Sequence, residues 1–197
     1  MEDEVLELIS TDLRGKSLEN LSPDDIPSNT QDLWLSNNKL TKIPLNFFWK
    51  KPHIWNLYFD FNNLNDLKFI TCFGYLGTLD LRNNKLEIDE LIEIRKIVII
   101  FLNIQNNPFE KYTNAYPLTI PALLKKVFVI NGIFITDNIR QKAKEFKKTI
   151  SFGETILRAR RRQISSYQTE GVSNITKSFL GGNECRFESK AKFFNIE

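Results

Sequence analysis

A pattern of apolar and polar positions returns every 22 to 24 residues along the first two-thirds of the chain. In its clearest copy, LWLSNNKLTKI over residues 33–43, two leucines flank one position, an asparagine follows, and two further apolar residues come after it. The corresponding copies begin at Thr11, Leu33, Leu57, Leu79 and Leu102. The regular interval indicates a stack of similar structural units.

Each copy predicts a short strand followed by a turn. Two apolar residues that flank one position point to the same side of a strand, because side chains alternate between its faces. The asparagine can turn the chain and bind the backbone groups that the turn leaves unpaired. One copy cannot bury its apolar residues alone, so the copies must stack. We therefore expect an α/β solenoid with parallel strands near residues 11–13, 33–35, 57–59, 79–81, 102–104 and 127–129.

The copies resemble the leucine-rich repeat, LxxLxLxxNxL, over residues 8–136. A second resemblance follows the repeats, where Tyr116, residues 121–136 and Ile130–Asn131–Gly132 look like the C-terminal cap of small intracellular leucine-rich repeat proteins. Pro117 stands where that cap has an arginine. The resemblance implies about five repeats and a cap within residues 1–150. It also implies a family of protein-binding subunits that includes the spliceosomal U2 A-prime protein, a leucine-rich regulatory subunit of protein phosphatase one and a leucine-rich axonemal dynein light chain.

In such a solenoid, the residues beside the inward-pointing leucines face outward on the concave sheet. Trp34 and Tyr58 occupy adjacent outward positions, where large aromatic residues are typical of binding hot spots. Stacking of the two rings on each other is the alternative explanation, and the sequence leaves it open. Nearby carboxylates favour a basic or amphipathic protein segment as the partner. The residues expected on this face are Trp34, Tyr58, Asp32, Asp60, Asp80, Arg82, Asn103 and Phe128.

The charge divides the chain into a mildly acidic body and a basic end. Residues 1–137 carry 14 Lys and Arg against 18 Asp and Glu, net −4, whereas residues 138–197 carry 13 against 6, net +7. We expect a helix from Thr136 or Asp137 over IRQKAKEFKK, a break at Gly153, and a basic tail over residues 151–197 that is partly helical or extended. A partner could contact this tail through Arg158, Arg160, Arg161 and Arg162. Isolated phenylalanines near the end suggest docking on the protein's own convex side or on a partner, and the sequence leaves open that they dock on nothing.

The composition offers little for catalysis. The chain has one histidine and two cysteines, Cys72 and Cys185, and lacks a glycine-rich phosphate-binding loop. We therefore expect no enzyme activity, no cofactor and no metal site. The acidic start does not resemble a signal peptide and no apolar run is long enough to span a bilayer, which predicts an intracellular protein. We place it in the cytoplasm, with a nuclear or axonemal location as the alternative.

The bulky aromatics between the strands have a simpler explanation. Phe47, Phe48, Trp49, Phe69 and Phe73 follow the apolar residues of the outer segments, where we expect them to belong to the core. Together, the patterns favour a non-catalytic protein-binding adaptor that uses its concave face. Two other functions remain open: a ribonucleoprotein component whose basic tail meets RNA, and a cytoskeletal or axonemal subunit that contacts tubulin or dynein.

Overall fold

A computed structural model of the 197-residue chain describes residues 7–112, 116–149, 152–153 and 156–157. Seven strands lie side by side in chain order. The first six pair in parallel, and the last pairs antiparallel with its neighbour. The strands are β1 (Ile9–Asp12), β2 (Thr30–Trp34), β3 (Asn56–Tyr58), β4 (Tyr75–Asp80), β5 (Val98–Asn103), β6 (Val127–Ile130) and β7 (Ile133–Phe134).

The strand register confirms the predicted alignment of the repeats. Leu33 lies opposite Leu57, Leu57 opposite Leu79, and Leu79 opposite Leu102, and all four are buried. Thr11 occupies the same column on β1. Most strands begin earlier than expected. In β4 and β5, for example, the buried residue three positions before the column leucine, Leu76 or Ile99, also belongs to the strand. The chain is a leucine-rich repeat solenoid, and we call each strand with the segment that leads to the next strand a rung.

The repeat asparagines link neighbouring rungs. The amide nitrogen of Asn84 donates to the carbonyls of Leu81 in its own rung and Phe59 in the previous one, at 3.1 and 2.9 Å. Its side-chain oxygen accepts the N–H of Leu64 at 2.9 Å. The equivalent asparagines make the same kind of bonds and are buried too: Asn38, Asn62 and Asn107. These bonds satisfy backbone groups that the turns leave inside the solenoid.

The residue before each of these asparagines adopts a left-handed backbone. In the rungs of β2, β4 and β5 this residue is an asparagine, with φ of 58° at Asn37, 54° at Asn83 and 59° at Asn106. In the rung of β3 it is Phe61, with φ of 55° and a side chain that is 53% exposed. This conformation is unfavourable for a bulky residue without a local polar bond. Phe61 is therefore strained, and the packing of the core does not explain it.

Short helical pieces form the outer side of the solenoid. They are the α-helix α1 (Glu90–Glu93) and the 3₁₀ segments Pro23–Asp25, Lys68–Cys72, Ile94–Lys96 and Pro108–Tyr112. Phe47, Phe48 and Phe69 are buried as expected, and Phe73 packs partly buried against them. The expectation for Trp49 was wrong, because its side chain is 68% exposed. It lies in the same turn as Phe47 and Phe48, which are buried and pack edge to face on each other.

The cap differs from the prediction in its register. Leu102 lies opposite Ile130, three residues later than the alignment on 127–129 implied. An Asn131–Gly132 turn then connects β6 to β7, with φ of 50° and 81°. Positive φ at both central residues is the geometry that a two-residue hairpin requires, and Asn-Gly is its strongest sequence signal. The cap is completed by α2 (Tyr116–Leu123) and α3 (Asp137–Lys147).

The region after the cap agrees in part with the prediction. Thr136 caps α3 by accepting the N–H of Ile139, as predicted. Gly153, where we expected a break, is itself helical, as are residues 152 and 156–157. Phe152 and Ile156 are buried in the same core as the rungs. The proposed contact residues Arg158, Arg160, Arg161 and Arg162 lie outside the described residues, and the boundary at residue 150 stays a prediction.

Candidate protein-binding surface

Trp34 and Tyr58 stack on each other across β2 and β3. Their ring centroids lie 3.8 Å apart and the planes differ by 5°. Both side chains are half-buried, and they stand opposite each other in the strand register. The stacking that the sequence left open as an explanation is therefore present. Since stacking covers one ring face of each residue, the rest of the pair still contributes to the accessible face of the sheet.

Two aspartate–arginine pairs flank this stack, one on each side. At the end of β1, Arg14 donates three side-chain hydrogen bonds of 2.6 to 3.1 Å to Asp12. These bonds lower the pKa of Asp12 to about 2. The Arg14 guanidinium also lies 4.9 Å from the centre of the Trp34 ring. On the other side, Arg82 binds Asp80 in the same way at 2.7 to 3.0 Å, and this pairing raises the pKa of Arg82.

The structure changes the expected role of Asp80. Its side chain is only 4% exposed, and it accepts hydrogen bonds from Arg82 and Asn103. A carboxylate that is buried and paired inside the protein offers little to a partner. Asp80 and Asn103 therefore belong to the support of the face, and Arg82, which is 41% exposed in its side chain, is the accessible member.

Asp32 and Asp60 keep the acidic character of the face. Asp32 accepts hydrogen bonds from Ser10 at 2.9 Å and Asn56 at 2.7 Å. Asp60 accepts one from Ser36. Both side chains are half-buried, and neither forms an ion pair with another described residue. We call the face formed by Trp34, Tyr58, Asp32 and Asp60 the stacked-pair surface.

Phe128 lies elsewhere than predicted. The register of β6 places it beside Ile100, not beside Asn103, so it is separate from the stacked-pair surface. Around it lies a cavity of about 530 Å³. We call this the apolar groove; it is lined by side chains that are 37 to 70% exposed, namely Trp55, Tyr75, Ile100, Phe101, Phe128 and Phe134. Exposed apolar patches of this kind mark interaction sites in folded proteins.

Gly77 shapes the floor of the groove. A methyl group at this position would stand 2.0 Å from Nε1 of Trp55, so only glycine allows the indole to lie against β4. A glycine inside a strand often marks such a close approach. Gly77, in the segment that leads into the predicted strand near residues 79–81, was the sequence signal from which the position of Trp55 against β4 could have been predicted. The repeat pattern alone does not predict this contact.

Basic groups border the groove on the cap side. The Arg140 guanidinium lies 5.5 Å from the centre of the Phe128 ring and donates to the carbonyls of Lys125 and Val127. Lys126 donates to the carbonyl of Lys96 at 3.3 Å. The two surfaces therefore differ in chemistry: the stacked-pair surface is acidic, and the apolar groove is hydrophobic with a basic border.

A second cavity, of about 610 Å³, adjoins the groove and is the only place where described residues combine a histidine and a cysteine. His53 and Cys72 both line it. Burial raises the pKa of the Cys72 thiol, and its sulfur lies 3.2 Å from the carbonyl oxygen of Phe69. A nucleophilic cysteine needs the opposite, a lowered pKa and a base in contact. This cavity does not have the character of a nucleophilic site.

Other features of the described residues add no further chemistry. Within residues 7–112, 116–149, 152–153 and 156–157, no three His, Cys, Asp or Glu side chains are grouped so that they could hold a metal ion. In the same part of the chain, every helix is too short or too polar to cross a membrane. The acidic groups of the outer side gather near α1, where burial and the carboxylates of Asp66, Asp89 and Glu93 raise the pKa of Glu90 to about 7.

Comparison with known proteins gives a structural likeness. No protein-family model matches the chain, and no curated protein matches its sequence. Among solved structures, the chain is similar to one in the crystal structure of the Drosophila melanogaster SNF/U2A' complex, with 18% identity and a TM-score of 0.45. The similarity covers 74% of this chain and 71% of that one. It concerns the course of the backbone and carries no functional argument.

Proposed function

We propose that this solenoid is a protein-binding adaptor without a catalytic role, and that its working surface is the stacked-pair surface. The observation that carries the proposal is the half-exposed Trp34–Tyr58 stack on the sheet, 3.8 Å between rings, outside the hydrophobic core. Preassembled aromatic residues provide contact area with little loss of side-chain entropy on binding. The paired strands β2 and β3, which carry the two rings, keep this aromatic surface in place.

The chemistry of this surface supports a basic or amphipathic protein segment as the partner. Asp32 and Asp60 provide carboxylates that are not ion-paired within the described residues. Arg14 lies over Trp34 at 4.9 Å, a cation–π contact within the chain that occupies the ring face not stacked on Tyr58. An arginine or lysine of a partner can replace Arg14 there or contact the remaining exposed part of the pair, and reach a nearby carboxylate.

The test measures how much partner is retained after one ring is removed. Trp34→Ala and Tyr58→Ala should fold nearly as well as the wild type, because both residues lie outside the core. Each should weaken binding roughly thirtyfold, the effect of losing about 2 kcal/mol at a hot spot. Trp49→Ala is the matched control, since it removes an indole that is 68% exposed on the outer side.

The outcomes separate this proposal from binding through the basic tail. Equal retention by wild type, Trp34→Ala and Tyr58→Ala, with normal melting curves, would contradict the stacked-pair surface. A contact with RNA or tubulin through Arg158, Arg160, Arg161 and Arg162 should survive both ring substitutions. RNA binding would also weaken steeply as salt rises, because each phosphate contact releases counterions.

A further inference from the structure

The apolar groove is a second exposed surface with a chemistry of its own. Five of its large side chains are at least 40% exposed: Trp55, Tyr75, Phe101, Phe128 and Phe134. From Trp55, directly before β3, to Phe134 on β7 it crosses four strand spacings, about 19 Å. Exposing so many aromatic side chains to water is unfavourable, so a folded protein normally covers them.

We propose that the chain's own C-terminal segment, residues 179–196, covers the apolar groove. This segment contains six large apolar residues within 18 positions: Phe179, Leu180, Phe187, Phe193, Phe194 and Ile196. The proposal does not depend on the partner of the stacked-pair surface, because the groove shares none of that surface's residues.

The position of the last described residues favours this occupant. Phe152 is 4% exposed, Ile156 is 2% exposed, and both belong to the core. The Phe152 ring packs on Phe146 of α3 at 5.6 Å, and α3 begins directly after Thr136, which lines the groove. The last described residues therefore lie at the cap, the end to which β6 and β7 bring Phe128 and Phe134.

The length of the remaining chain is sufficient. Forty residues follow Leu157, and 21 of them, residues 158–178, precede the apolar segment. A random coil of 21 residues spans about 25 Å on average, which exceeds the length of the groove. A connection of this kind gives an effective concentration near the millimolar range, so even weak apolar contacts suffice for docking. A second copy or a separate protein lacks this advantage.

The charges around the groove are compatible with the segment. Lys126 and Arg140 border the groove beside Phe128. The segment carries Glu184 and Glu188 against Arg186, Lys190 and Lys192, a net charge of +1. Only the two glutamates near Phe187 therefore suit the basic border. Carboxylates next to an apolar anchor can meet the basic border while the ring enters the groove.

Photocrosslinking of the full chain tests this inference. The variant Phe128→p-benzoylphenylalanine keeps an aromatic side chain in the groove and adds a reactive ketone. After irradiation at low micromolar concentration, we expect an adduct at monomer mass whose crosslinked peptide lies within residues 179–196. The matched control is Phe61→p-benzoylphenylalanine, because Phe61 is 53% exposed on the turn after β3 and lines neither cavity.

A second variant checks the result by a different measurement. Combined Phe187→Ala, Phe193→Ala and Phe194→Ala substitutions in the full chain should leave the solenoid folded and increase binding of an apolar fluorescent dye severalfold. Unchanged dye binding, or irradiation that yields no adduct to the segment, would overturn the inference. So would an adduct at dimer mass, which assigns the groove to a second copy, or an adduct formed from position 61 alone, which places the segment away from the groove.

Discussion

Asp12 and Asp80 show how burial decides what one carboxylate does. Each is held by the arginine two residues later with similar hydrogen-bond lengths. The side chains of Asp12 and Arg14 are about half exposed, 51% and 52%, whereas Asp80 is 4% exposed. Exposed ion pairs contribute little to stability, but a buried charge that loses its partner is unfavourable.

This difference leads to a paired prediction. Asp80→Ala should lower the free energy of unfolding by about 2 kcal/mol, since the buried hydrogen bonds to Arg82 and Asn103 disappear, while the exposed part of Arg82 can turn to water. Asp12→Ala should change stability little. Urea denaturation of both variants measures the effect. Equal losses at the two positions would show that burial does not distinguish the pairs.

Glu90 gives the stability a pH dependence. Burial, then the nearby carboxylates, raises its pKa from 4.5 to about 7 in the folded chain. Between these values the folded chain holds a proton that the unfolded chain releases, so stability falls as pH rises from about 4.5 to 7 and stays lower above.

Glu90→Gln should therefore raise the melting temperature at pH 8 and have little effect at pH 4. Because the side chain is half exposed, the gain at pH 8 should not exceed about 1 kcal/mol after allowance for solvent screening. Glu19→Gln controls for the change in net charge, because Glu19 is exposed and is not among the groups that raise the pKa of Glu90. A gain that is the same at both pH values would argue against this role of Glu90.

At the scale of the element, one turn position with a left-handed backbone recurs in five rungs. Gly15 occupies it in the first rung, an asparagine in the second, fourth and fifth, and Phe61, with φ of 55°, in the third. Asparagine adopts this conformation far more readily than a bulky residue. Phe61→Asn should therefore raise the free energy of unfolding by about 1 kcal/mol, or roughly 2–4 °C in melting temperature for a domain of this size.

The control for this prediction is Phe61→Ala. It removes the ring but keeps a residue that disfavours the left-handed backbone, so it should not stabilise the chain. Thermal unfolding of both variants decides the matter. If Phe61→Asn melts lower than wild type, contacts of the ring outweigh the backbone strain.

The elements also show what a sequence of this kind can predict. The columns through Leu33, Leu57, Leu79 and Leu102 were predictable because buried leucines and asparagines recur at fixed intervals. The cap register was not, because VFVI over 127–130 has apolar residues at every position and thus no alternation to align. The Asn131–Gly132 dipeptide predicts a two-residue hairpin turn, and the position of this turn would have fixed where β6 ends.

At the scale of the whole molecule, the solenoid presents two chemically different surfaces on one sheet. Trp34 and Tyr58 were predictable as outward-facing residues, since they lie between inward-facing neighbours. The burial of Asp80 was not, because it depends on Arg82 and on the neighbouring strand. The apolar groove was also hidden, since it joins residues of β3 to β7 that lie far apart in sequence.

The central claim is that the stacked-pair surface binds a protein partner. Hydrogen exchange of the full chain, with and without the partner that it retains, tests this most directly. We predict that bound partner slows exchange in the peptides covering residues 31–60, which include most of β2 and all of β3, and that Trp34→Ala abolishes this protection. Protection confined to the outer segments around α1 or to residues after Leu157, with β2 and β3 unchanged, would contradict the claim.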